Sequence, residues 1–163
     1  MALSFVLWHG AQRPDVLVSD TGTLVGVMTS EGRALSKPKG AGFVARNWLE
    51  NDGTGRSQQA AAELWHQDAI VHLSGKRAMA GFKGCTKGHI VVASTEAETL
   101  SDQPCLIFDP KKLKETGSLA ISNTANGWQI TTARAVAGDR LWTNWPKARN
   151  RLQYVRIKPT KRP

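Results

Sequence analysis

The stretch from Arg13 to Asp52 leaves this chain few ways to fold. Three short apolar runs, Val16-Leu17-Val18, Leu24-Val25-Gly26-Val27-Met28 and Ala34-Leu35, are separated by Asp20-Thr21-Gly22 and Ser30-Glu31-Gly32. Gly, Asp and Ser in those gaps suit turns that need unusual backbone angles, so the segment predicts a meander of three antiparallel strands. Pro38 and Gly40 close the third strand, and Phe43, Val44, Trp48 and Leu49 recur at helical spacing. A short amphipathic helix over Gly42 to Glu50 should then fold back over the sheet and end at Gly53.

The rest of the chain alternates strand and helix signals. Asn51 to Arg56 reads as a loop, and Ser57 as the N-cap of an Ala-rich helix over Gln58 to His66. Ala69 to Leu73 and Arg77 to Phe82 are expected as two strands joined across Ser74-Gly75-Lys76. A loop from Lys83 to Gly88 leads to His89-Ile90-Val91-Val92-Ala93, a continuous apolar run typical of a strand buried on both faces. Thr95 to Leu100 resembles one or two helical turns with Glu96 and Glu98 near the positive end. Pro104 to Phe108 is another buried strand. Asp109-Pro110 opens a short helix over Lys111 to Glu115, closed by Gly117. Ser118 to Ser122 and Trp128 to Ala133 pair as a hairpin over Asn123 to Gly127. This order predicts the α/β class, a mixed-sheet sandwich with short helices that opens on a three-stranded antiparallel meander.

At 163 residues the chain suffices for one domain with a sizeable core, placed at residues 13–139. No run of 18 apolar residues occurs, so the sequence contains no membrane span of its own. Residues 1–12 begin with an apolar stretch, Met1 to Trp8, that is too short for a span and lacks a basic leader region. Three readings are open for it: a first strand, a loose terminus, or the end of a membrane helix.

Few residues carry chemistry. His9, His66, His72 and His89 have no spacing that would bring metal ligands together, and no close-set His pair occurs. His72 and His89 are expected as strand residues satisfied by their neighbours. Gly81 to Gly88 is glycine-rich but lacks the GxxxxGK[ST] pattern of a phosphate-cradling loop. Ser74 and Ser118 have no supporting triad. Cys85, between Lys83 and Lys87, has two readings, a reactive thiol and a small partly buried residue. A third is a disulfide to Cys105, the only other cysteine, in a domain that faces an oxidising compartment. No catalytic residue, metal site, cofactor or small-molecule substrate is assigned.

Charge gives the one functional slope. The net charge is +9, with 22 basic and 13 acidic residues. Residues 140–163 hold eight of the basic residues and no acid, which leaves 14 basic against 13 acidic for residues 1–139. Arg140, Trp142, Trp145, Lys147, Arg149, Arg151, Tyr154, Arg156 and Lys158 interleave cations with aromatic rings. Cations neutralise phosphates with release of counterions while Trp and Tyr stack on unpaired bases, so the segment suits single-stranded DNA. It also suits an anionic lipid surface, where Trp and Tyr favour the interface. The plain structural reading is a solvated terminus with Trp142 and Trp145 packed on the body.

Arg13 to Met28, then Gly40 to Gly53, Gly84-Cys85, Cys105 to Ile121 and Arg140-Leu141-Trp142 follow in an order that resembles the C-terminal soluble region of alphaproteobacterial ComEC-family competence proteins. Those proteins form the inner-membrane channel through which single-stranded DNA enters during natural transformation. The resemblance covers most of the chain and implies a domain attached to the channel portion, on the periplasmic side of the inner membrane. Many family members end in a metallo-β-lactamase-like domain proposed to degrade the non-entering strand. The HxHxDH motif and the opening DVGQGD pattern of that domain are missing here, so no catalytic residue carries over, and the order buried strand, short helix, Gly117, hairpin is expected as a degenerate remnant of the last part of that fold. Two functions follow. One is a non-catalytic module that contacts DNA or the membrane surface through its basic tail. The other is a divergent metal-dependent nuclease, for which acids such as Asp15, Asp20, Asp52 and Asp68 are scattered across turns and helix ends.

Overall fold

Gly22 at φ 65° and Gly32 at φ 116° turn the chain back on itself twice, in a region of backbone space that residues with a Cβ rarely enter. The turns produce β1 (Val16–Val18), β2 (Val25–Thr29) and β3 (Gly32–Leu35), antiparallel with Val16 opposite Val27 and Gly26 opposite Leu35. The expected meander is present, and α1 (Gly42–Asn51) follows it. These elements belong to a computed structural model that describes residues 13–66, 68–100 and 103–138. The segments 1–12 and 139–163, including all nine of the aromatic and basic residues assigned to nucleic-acid contact, lie outside the described residues.

Ser57 accepts a hydrogen bond from the Ala60 N–H and starts α2 (Gln58–Glu63). Next come β4 (Ile70–Leu73), α3 (Gly75–Gly81), β5 (Ile90–Ala93), a 3-10 turn at Glu98–Leu100, and β6 (Leu106–Phe108). Asp109 caps α4 (Pro110–Thr116) by accepting from the Lys112 N–H at 2.9 Å. The hairpin β7 (Leu119–Thr124) and β8 (Gly127–Thr132) and a last turn of helix, α5 (Ala133–Ala137), end the described chain.

The strands form two sheets. One is antiparallel in the order β3-β2-β1-β7-β8, because β7 pairs with β1, Val16 opposite Ile121, and so closes the open side of the meander. The other is parallel in the order β4-β5-β6. Alternation along the strands sends Val16, Val18, Val25 and Ile121 of the first sheet against Ile70, Ile90, Val92 and Phe108 of the second, with Leu113 of α4 at their margin. Each such side chain, fully removed from water, contributes about 2 kcal/mol of burial. The outer face of the first sheet is covered by α1 and α2 through Leu24, Leu35, Ala45, Leu49 and Ala61. The outer face of the second, Leu73, Val91 and Ala93, is covered by Ala78 and Met79 of α3 and by Ala97 and Leu100. The layers therefore run helix, sheet, sheet, helix. No helix among the described residues is long and apolar enough to cross a membrane.

Three expectations are corrected. Arg77 to Phe82 lies in α3 and its C-cap, not in a strand. Because β4 and β5 run parallel, the chain between them must return to its starting side, which a helix does and a hairpin cannot. The second helix stops at Glu63 rather than His66, since Trp65 turns inward to pack on the central core. Phe43 does not face the sheet. Val44, Ala45, Trp48 and Leu49 do, and Phe43 is 75% exposed.

Candidate functional site

Ligands of α/β proteins commonly sit outside the carboxyl ends of parallel strands, so that edge of β4-β5-β6 is the first place to look. There the Ser94 N–H donates to the Leu73 carbonyl at 3.0 Å, and the Ser94 hydroxyl accepts from the Gly75 N–H at 2.9 Å. Asp109 spends its second oxygen on the Ala97 N–H at 3.3 Å. The turn between β1 and β2 presses onto this edge. A Cβ on Gly22 would lie 2.6 Å from the Ala93 carbonyl oxygen and 3.0 Å from a Leu113 methyl. His72, 6% exposed, meets the Gly22 carbonyl through Nε2 at 3.0 Å. A carbonyl only accepts, so Nε2 carries the proton in this bond. Burial lowers the His72 pKa below its ordinary 6.5, against the Gly22 bond, which raises it, and with help from the Lys37 charge. His72 is thus a neutral donor that ties the turn to the parallel sheet. The Thr95 hydroxyl is buried near the same edge without a partner.

A second polar constellation lies on the outer face of the antiparallel sheet. Arg33, 1% exposed, pairs through Nε and Nη2 with the two carboxylate oxygens of Asp52 at the end of α1. Nη2 also reaches the Pro14 carbonyl at 3.3 Å, and Nη1 has no partner. Arg13 donates to the Asp52 carbonyl at 2.6 Å. Gly26 makes room for this arrangement, because a Cβ there would meet Arg33 Cδ at 2.8 Å and the Trp48 ring at 3.2 Å. The pair fastens the end of α1 to β1 and β3. Its chemistry is that of a structural ion pair closed to solvent.

The structure disperses the other residues named from sequence. Cys85 and Cys105 form a disulfide with a Cα–Cα distance of 5.8 Å, so no free thiol stands between Lys83 and Lys87. His66 meets its own chain at the Leu64 carbonyl, and His89 meets Thr86 at 3.1 Å. Asp15 accepts from the Asn123 N–H at 2.6 Å, while Asp20 and Asp68 are exposed in separate turns. No group of three metal-ligating side chains occurs among the described residues.

Sequence reading missed the Arg33–Asp52 pair and the outward Phe43; His72 is the satisfied strand residue expected, though its partner is the distant Gly22, and His89 precedes β5 instead of lying in it. For Arg33 a signal was present, a lone cation beside Ala34-Leu35 in a strand that must pack under a helix. Comparison with family models, curated proteins and solved structures gave no significant match to this chain.

Proposed function

We propose that the chain is the non-catalytic C-terminal soluble domain of a ComEC-like inner-membrane channel for DNA uptake, and that it contacts single-stranded DNA through residues 140–163. The observation that carries this reading is the charge division: a body of 14 basic and 13 acidic residues joined to a segment of eight basic residues and no acid. Such a segment loses affinity for DNA as salt rises, because each phosphate contact releases counterions.

Two structural facts accord with this reading. Within the described residues, the pieces that carry the resemblance hold structural positions: Arg13 and Asp52 at the ion pair, Asp15 at the Asn123 N–H, Cys85 and Cys105 in the disulfide, and Asp109-Pro110 at the start of α4. The disulfide suits an oxidising compartment, in keeping with a periplasmic domain. The helix, sheet, sheet, helix layering is compatible with a metallo-β-lactamase-like remnant. The nuclease reading finds Asp15 and Asp52 already engaged in the scaffold.

The test is fluorescence anisotropy of a labelled oligothymidylate across a salt series. Steep salt dependence lost on deleting residues 140–163 is the expected result. Binding that survives the deletion overturns the role of the segment. Metal-dependent cleavage that vanishes on substitution of one acid overturns the non-catalytic reading.

A further inference from the structure

Between β3 and α1 the chain makes a loop whose geometry is enforced from outside. Gln58 of α2 donates through Nε2 to the Lys37 carbonyl at 3.1 Å and to the Gly40 carbonyl at 2.7 Å. Gly40 takes φ 85°, and Ala41 takes φ 51°, the one positive φ at a non-glycine residue among the described residues. An L-residue in that region is strained and stays there only where its surroundings hold it, which is a pattern seen at ligand-contacting segments. Ala41 is the N-cap of α1, and Phe43 stands in its first turn. Its neighbours Val44, Ala45, Trp48 and Leu49 pack on the sheet, whereas Phe43 is 75% exposed.

The chain on either side of this ring carries cations. No acidic residue occurs between Glu31 and Glu50, while Lys37, Lys39 and Arg46 do. Arg46 lies one helical turn after Phe43 and so shares its face of α1. Its ion pair with Glu50 is long, 3.9 Å, and exposed at both ends, and such pairs hold a guanidinium weakly. Lys39 is exposed in the clamped loop.

We propose that Phe43, with Lys39 and Arg46, is a second contact for single-stranded nucleic acid, a base stacking on the ring while the neighbouring phosphates meet the two cations. The choice of partner rests on the DNA reading given above, but the residues are separate from segment 140–163. A lone projecting ring fits one base. A membrane anchor of a helix instead buries a whole apolar face, and here that face is already occupied by the sheet.

The experiment uses the full chain, an oligothymidylate probe and vesicles containing phosphatidylglycerol. Phe43→Ala should weaken oligothymidylate binding about tenfold, and Phe43→Trp should restore it. Lys39→Ala and Arg46→Ala should each lower the slope of log affinity against log salt by about one. An exposed ring contributes little to folding, so the melting temperature of Phe43→Ala should match that of the parent. A Phe43→Ala affinity within twofold of the parent overturns the proposal, as does a Phe43 dependence confined to vesicles. A chain with the eight basic residues of 140–163 changed to Gln separates the two readings. If its binding stays at the parent level yet falls on adding Phe43→Ala, the tail reading fails and this one stands. If the tail change weakens binding and Phe43→Ala does not, this one fails and the tail reading stands. No binding by the parent chain at low salt overturns both.

Discussion

Removing the disulfide should loosen the outer face of the parallel sheet by a calculable amount. Cys85 follows α3, Cys105 precedes β6, and both pack beside Leu73, Val91 and Leu100. The bridge closes a loop with a sequence separation of 20. In the chain-entropy account such a loop removes about 11 cal/mol/K from the unfolded ensemble, about 3 kcal/mol at 25 °C. With a urea dependence of about 2 kcal/mol/M for a chain of this size, reduction should lower the denaturation midpoint by about 1.5 M. The assay is tryptophan fluorescence during urea unfolding of the oxidised chain, the reduced chain, and the Cys85→Ser/Cys105→Ser variant. The last two should agree, since both open the same loop. A midpoint change under about 0.3 M would refute the reasoning, because the unfolded chain would then gain little freedom from the cut. So would two titratable thiols in the unfolded, unreduced protein.

Three further outcomes follow from the buried polar groups and the tight turn. Asp52→Ala strands the Arg33 guanidinium, which is 1% exposed, and should cost about 3 to 5 kcal/mol in urea unfolding. Adding Arg33→Met should recover much of that loss. Gly22→Ala must hold φ 65° with its methyl 2.6 Å from the Ala93 carbonyl oxygen, so it should destabilise by at least about 2 kcal/mol on the same measure. For His72, burial lowers the folded pKa below 6.5, so the unfolded chain binds a proton that the folded chain refuses. Its contribution to stability is therefore constant above about pH 6.5 and falls as pH drops through 6.5 towards the lowered value. His72→Gln should flatten that part of the pH–stability curve, and an unchanged slope would contradict the assignment.

Local chemistry was readable from sequence wherever one or two residues decide the backbone. Gly22 and Gly32 announced the meander, Ser57 and Asp109-Pro110 announced helix starts, and the run at Ile90 to Ala93 announced a strand buried on both faces. Ser74-Gly75 was ambiguous, because the same pair suits a hairpin turn or the start of a helix. Only the parallel pairing of Ile70 with Ile90 decides between them, and that pairing is not a local property. Phe43 was assigned to the buried face because its spacing to Trp48 and Leu49 is helical. The positions 44, 45, 48 and 49 fit the same period one residue on, and the sheet selects them. His72 and Gly22 are 50 residues apart, and Arg33 and Asp52 are 19 apart, so neither contact leaves a periodic trace.

These contacts bear on the proposed division between scaffold and polyanion contact. A reaction centre for phosphodiester cleavage would need several acids converging on one ion. Asp15 holds a backbone N–H of the β7–β8 hairpin, Asp52 neutralises a buried guanidinium, and Asp109 satisfies two N–H groups at α4 and Ala97. Recruiting any of them to a metal would expose a donor or strand a charge, each at a cost comparable to a sizeable fraction of a small domain's stability. Lys39 and Arg46 are exposed and take no part in these buried bonds. Asp15, Asp52 and Asp109 are thus committed to the sandwich itself, and any metal site proposed for this chain would have to draw on other acids.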